Sequence, residues 1–170
     1  MPSIENLLKH IRAGKLEKIK PLASQYSPQE LGQALRAAIV HHQAHCVEFL
    51  VPYVAVSQDL DANNFTPLEN AFWTSIVNDK KSDFECMLKW VDAGKNDSAF
   101  LYMACQFGRF DMAQRLIPLS DVESVWERME KMHLETQCFD IIREEYEALK
   151  QNKLLNTVVK HKNGSVVRKI

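Results

Sequence analysis

Apolar residues recur along most of the chain at helical intervals of three and four, and short polar turns cut the runs into pairs. Ile4, Leu7, Leu8 and Ile11 mark a first helix, and Leu16, Ile19 and Leu22 follow Gly14 as its partner. Leu31, Ala34, Leu35, Ala38 and Ile39 form the next stripe, with Cys46, Val47, Phe49 and Leu50 after the His41-His42 turn. A third pair begins at Thr66-Pro67-Leu68 and continues with Phe84, Met87, Leu88 and Val91 from about Asp83. From Asp97 to Pro118 the pattern is clearest: Leu101, Ala104 and Cys105, a break at Gly108, then Met112, Ala113, Leu116 and Ile117. Asp121 to Met132 and Thr136 to Leu149 supply a last pair. The pattern predicts an all-α fold of helical hairpins, none of which can bury its own stripe without neighbours.

Capping residues sharpen the starts. Ser27-Pro28-Gln29-Glu30 places a serine cap, a proline at the first helical position and a glutamate able to close a capping box. Thr66-Pro67 repeats the logic, and Ser3 serves the first helix. Tyr53 to Asn64 lapses into polar turns, and Thr74 to Ser82, with Lys80-Lys81, reads as an exposed insertion inside the third unit. Leu35, Leu68 and Leu101 stand 33 residues apart and set a repeat register.

This register resembles the ankyrin-repeat family. Thr66-Pro67-Leu68-Glu69-Asn70-Ala71 is similar to the family's Thr-Pro-Leu-His-x-Ala, and Leu101-Tyr102-Met103-Ala104-Cys105-Gln106-Phe107-Gly108 to its Leu-His-x-Ala-Ala-x-x-Gly. Arg36, Glu69 and Tyr102 stand where the motif histidine is usual. The resemblance implies an ankyrin-like solenoid of four to five units over residues 1–152, with the 53–64 segment as a finger. It also implies recognition of a protein through the concave helix and finger face. Carried onto this chain, the partner-binding positions are Asn63, Phe65, Trp73 and Thr74 in the third unit, and Lys95, Asn96, Ser98, Gln106 and Phe107 in the fourth. His41, with Glu30, Gly32 and Val40, completes the set in the second. Phe65, Trp73 and Phe107 fall at exposed register positions, which makes them candidate interface anchors, with Trp90 and Trp126 structural. A general helical-hairpin solenoid remains the alternative.

Composition adds bounds. With 46% hydrophobic and 25% charged residues the chain is ordinary for a globular protein, and 170 residues suffice for one domain. The net charge of −1 gives no argument for nucleic acid or membrane as partner. Residues 153–170 carry five basic residues and no acid, leaving the first 152 at −6. That segment is expected to be a basic tail distinct from the repeats. Thr157 to Lys162 and Ser165 to Ile170 are β-branched runs around Asn163-Gly164, the pattern of a β-hairpin that docks, stays mobile or pairs with a partner. No signal peptide or membrane span is legible, and four widely separated cysteines without a CxxC pair suit a reducing, cytoplasmic setting.

Chemistry is sparse. His41, His42, His45 and Cys46 are the only cluster of metal-ligand types, and the register makes them diverge, so no metal or cofactor is expected. Cysteine nucleophiles beside His45 or His133 would need exposed, electropositive thiols, whereas all four cysteines fall at core positions. Glu144-Glu145 point in different directions on a helix. The expectation is a monomeric protein-binding module without catalysis. Its variants are an immunity or inhibitor protein of bacteria that blocks a toxin or enzyme with a basic surface, and a secreted effector that captures a host protein. A metal- or cysteine-dependent enzyme is the remote alternative.

Overall fold

The computed structural model of the chain describes residues 3–132 and 136–166. It is all-helical over them: α1 (Ile4–Arg12), α2 (Leu16–Ile19), α3 (Pro28–Val40), α4 (Ala44–Val54), α5 (Pro67–Val77), α6 (Lys81–Leu88), α7 (Lys95–Gln106), α8 (Phe110–Leu116), α9 (Val122–Lys131) and α10 (Gln137–Val166). No helix among the described residues is long and apolar enough to cross a membrane.

Local chemistry sets the starts. The Ser27 hydroxyl accepts from the Glu30 amide at 3.3 Å while the Glu30 carboxylate accepts from the Ser27 amide at 2.8 Å. Thr66 and Glu69 repeat this box at 3.2 Å and 2.7 Å. Ser3 and Asp121 cap α1 and α9.

The turns inside the pairs share one geometry. Gly14, His42, Asp79 and Gly108 lie in the left-handed region at φ 63°, 58°, 54° and 64°. After each, an amide donates to a carbonyl five residues back: Lys15 to His10, Gln43 to Ala38, Lys80 to Ser75 and Arg109 to Ala104, at 2.7–2.9 Å. Aligned on these turns, Leu7, Leu35, Phe72 and Leu101 are equivalent and fully buried, as are Ile11, Ile39, Ile76 and Cys105. In the partner helices Ile19, Val47, Phe84 and Ala113 match in the same way. First helices pack on first helices, α1 on α3, α3 on α5, α5 on α7 and α7 on α9, around one continuous core. Gly32 permits a close approach of α3 to α5, since a Cβ there would sit 2.6 Å from that of Pro67.

Four expectations are corrected. The equivalent of Leu35 and Leu101 is Phe72, one helical turn beyond Leu68; a shift of four residues keeps the same helix face, so both are buried and periodicity cannot separate them. The Thr74–Ser82 insertion does not exist, because α5 runs to Val77 and α6 starts at Lys81, with Asp79 taking the left-handed position that aspartate tolerates. Trp90 is 46% exposed, because α6 ends at Leu88 and leaves it outside the helix. The 157–170 hairpin is replaced by helix through Val166, positions 167–170 of its second strand lying outside the described residues. Extending an existing helix avoids the nucleation cost, whereas an isolated two-stranded hairpin is marginal in water.

Candidate functional site

The segment between α4 and α5 is built around one carboxylate. Asp61 Oδ1 accepts from the amides of Asn63 at 2.8 Å and Phe65 at 3.0 Å, and its Oδ2 accepts from the Asn70 side chain at 3.0 Å. The Asp61 amide donates to the Phe65 carbonyl at 2.9 Å, which closes the loop into a short finger. Its tip is Asn63 and Asn64, both exposed, the latter at φ 68°.

This closure turns Phe65 inward. Phe65 is 8% exposed, with ring centroids 5.4 Å from both Trp73 and Phe100, so its expected exposure is wrong. The reason is the Asp61 loop, which fixes the backbone direction on both sides of the ring. Trp73 is half-buried against the core. Simultaneous replacement of the two by alanine therefore removes core contacts as well as any recognition surface.

The other positions fall into two groups. Thr74 hydrogen-bonds its hydroxyl to the Asn70 carbonyl at 2.8 Å, and half-buried Lys95 binds both carboxylate oxygens of buried Glu69 at 3.0 Å. Ser98 is fully buried and its hydroxyl accepts from the Asp121 amide at 2.6 Å, tying α7 to α9. Asn96 is half-buried. Lys95 and Ser98 thus lie at seams of the stack, Asn96 is partly enclosed, and Thr74 is tied to its own helix. His41 and Phe107 are exposed at the turns after α3 and α7, and Gln106 at the end of α7, Phe107 by 42%. They lie at the far ends of the first helices from Asn63, so the structure separates the expected set into two patches.

Between them a groove runs along α3. Gln29, Gln33 and Arg36 form one wall, Asp59, Leu60 and Asp61 of the finger the other, and Gly32, Phe65, Pro67 and Asn70 the floor. Its volume is about 240 Å³. Gln29 hydrogen-bonds to Asp59 across one end. Leu60 is 52% exposed, and the Arg36 guanidinium is exposed on the opposite wall. Sequence reasoning did not mark Gln29, Gln33 or Leu60, although the i, i+4, i+7 spacing of Gln29, Gln33 and Arg36 along the polar side of α3 was a readable signal.

The Phe65 amide holds the Asp61 carboxyl below the usual aspartate range, helped by Asn70, Asn63 and Arg36 against the opposing effect of burial. A depressed folded-state value means stabilisation present above about pH 3.9, the ordinary aspartate value, and lost as pH falls through the folded-state value. Thermal melts across pH should therefore show Asp61→Asn less stable than the native chain at pH 7, with the two converging near the acid limit. A gap that is the same at both ends would remove the carboxylate from the account.

The histidine cluster diverges. His45 Nε2 lies 3.0 Å from the Gly14 carbonyl, His42 lies 3.0 Å from Lys80 Nζ, and Cys46 is fully buried. Burial pushes the Cys46 and Cys86 thiols up, and a hydrogen bond to Cys138 together with burial does the same for Cys105. Cys86 is only partly buried, and Cys138, though buried, is held below the usual thiol value by its hydrogen bond with Cys105. The buried thiols of Cys46 and Cys105, pushed up, are poor nucleophiles. No protein-family model matches the chain, and neither the curated proteins nor the solved structures contain a significant match to it.

Proposed function

We propose that the chain is an ankyrin-like solenoid acting as a non-catalytic protein-binding module, with the groove between α3 and the finger as its recognition site. The observation that carries the reading is the groove itself: a floor that is apolar apart from Asn70, with an exposed Leu60 facing an exposed Arg36 across it, on a helix and finger face. Four matching turns and stacked first helices support the solenoid. A peptide segment fits such a site, because a few anchoring side chains can fill it while the Gln29 and Gln33 amides bond its backbone.

Selection of a displayed random-peptide library on the purified chain tests this. Enriched peptides should pair a carboxylate with a neighbouring aliphatic or aromatic residue. Arg36→Glu with Leu60→Asp should weaken them at least about tenfold, with only a small drop in melting temperature, because both side chains are exposed although Arg36 acts on Asp61. Peptides that bind the double variant equally well would overturn the site. A second reading, an inhibitor of a basic enzyme or toxin, is favoured by the charge of −6 on residues 1–152. It requires affinity that falls steeply with added salt, unlike peptide capture in the groove.

A further inference from the structure

The second helices are joined along two seams, α4 to α6 and α6 to α8. Counted from the left-handed turn residues His42, Asp79 and Gly108, the sixth residue of one unit meets the seventh of the next. At the α6–α8 seam these are Glu85 and Arg115, joined by two hydrogen bonds of 2.9 Å and 3.1 Å. Nearer the turns, the second and third residues, Lys81 and Asp111, form another ion pair. The α4–α6 seam has the same register and different residues. Ala44 and Ser82 stand where Lys81 and Asp111 pair, and Glu48 and Cys86 stand where Glu85 and Arg115 do.

Glu48 is therefore a carboxylate at a seam whose other side offers a thiol in place of a guanidinium. It is exposed, and no cation among the described residues forms an ion pair with it. Burial, the Glu48 carboxylate and Asp83 push the Cys86 thiol up against the opposing effect of Lys89. The seam opens here into a groove of about 490 Å³, walled by Val51 and Pro52 of α4, by Ser82 and Cys86 of α6, and by Trp90. Lys89 also lines it, with its ammonium 5.8 Å from the centre of the Trp90 ring. Tyr53, Trp90 and Leu119 are each the eleventh residue after their turn residue, and all three are exposed. Stacking of the units sets them in a row of large apolar side chains beside the groove.

We propose that the α4–α6 groove docks a segment of a partner protein that inserts an arginine. Its guanidinium takes the place beside Glu48 that Arg115 takes beside Glu85, and its methylenes lie along Val51, Pro52 and Trp90. Arginine suits the site better than lysine, because its planar fork meets a carboxylate with two hydrogen bonds and stacks on an aromatic face. An apolar neighbour of that arginine covers the exposed Trp90 ring, and arginine and tryptophan are the side chains that carry much of the energy of protein interfaces. The groove between α3 and the finger is lined by other residues, so the two sites are independent.

Selection of a displayed random-peptide library on the full chain carrying Arg36→Glu and Leu60→Asp, which disables the α3 groove, tests this. Enriched peptides should hold an arginine next to an aromatic or aliphatic residue and should bind the native chain equally well. Glu48→Gln should weaken them at least about tenfold with an unchanged melting temperature, as should lysine in place of the peptide arginine. Cys86→Arg supplies the guanidinium from within the chain, so it should abolish binding while keeping or raising the melting temperature. If that variant fails to fold, Glu48→Gln decides alone. Peptides without arginine, or arginine peptides that bind Glu48→Gln or a folded Cys86→Arg as tightly as the native chain, overturn the proposal. So does a native chain that dimerises in sedimentation velocity and becomes monomeric with Glu48→Gln, which would make a second copy the occupant.

Discussion

Phe72→Ala is expected to lower the unfolding free energy by about 4 kcal/mol, enough to remove a large part of the margin of an ordinary domain. Phe72 is fully buried and holds the position that leucine holds in the other three aligned units. Its ring stacks on Phe84 of α6 at 4.9 Å and 22°, and meets Phe100 of α7 edge-on at 4.9 Å and 85°. Phe100 in turn lies 5.4 Å from Phe65 of the finger. One side chain therefore joins the third unit to its own second helix, to the fourth unit and, through Phe100, to the finger. Little can collapse into the space left by the ring, because the surrounding atoms belong to three helices fixed by their own capping and turns. Urea unfolding followed by circular dichroism measures the loss. Phe72→Leu should cost only about 1 kcal/mol, because leucine already fills this position in its neighbours. A cost below about 1.5 kcal/mol for alanine would mean that the stack relaxes around the gap.

Glu69→Ala comes next, at about 3 kcal/mol. The carboxylate is 7% exposed and does two jobs: it accepts the Thr66 amide at 2.7 Å, closing the capping box of α5, and it receives Lys95 at 3.0 Å from the start of α7. Alanine leaves the Thr66 amide without its acceptor and Lys95 without its counter-charge. Lys95 is 26% exposed, so its ammonium can turn toward water, which keeps the cost below that of a fully enclosed pair. Lys95→Ala alone should cost about 1 kcal/mol, and Glu69→Gln should fall between the two, retaining a cap acceptor and losing the charge. A double-mutant cycle over Glu69 and Lys95 should give a coupling of about 1 kcal/mol or more. Strict additivity would show the pair to be energetically idle.

Much of the helical layout was legible because its causes are local. Ser27-Pro28 with Glu30, and Thr66-Pro67 with Glu69, fix helix starts within four residues, and the observed boxes form at those places. The apolar stripes identified the core of α1, α3, α4, α7 and α8 because a helix presents the same face every three to four residues. The candidate site was legible only in part. The Asn63 tip and the exposed His41, Gln106 and Phe107 lie where they were expected on the surface. The groove was missed because its two walls, Gln33 and Arg36 against Asp59 and Leu60, come from elements whose approach depends on Gly32 meeting Pro67.

The chain's own pattern of apolar spacing, caps and turn residues determined that this protein is helical, where most helices begin, and which face of α1, α3, α4, α7 and α8 is buried. Tertiary structure decided the rest. It moved the register from Leu68 to Phe72, a slip that helical periodicity cannot detect because four residues return to the same face. It buried Phe65 through a loop closed by Asp61 and a ring contact with Phe100, far along the chain. It continued α10 through a segment whose composition favoured strands, since propagation from a helix already anchored on α9 costs less than starting a hairpin that has nothing to pack against.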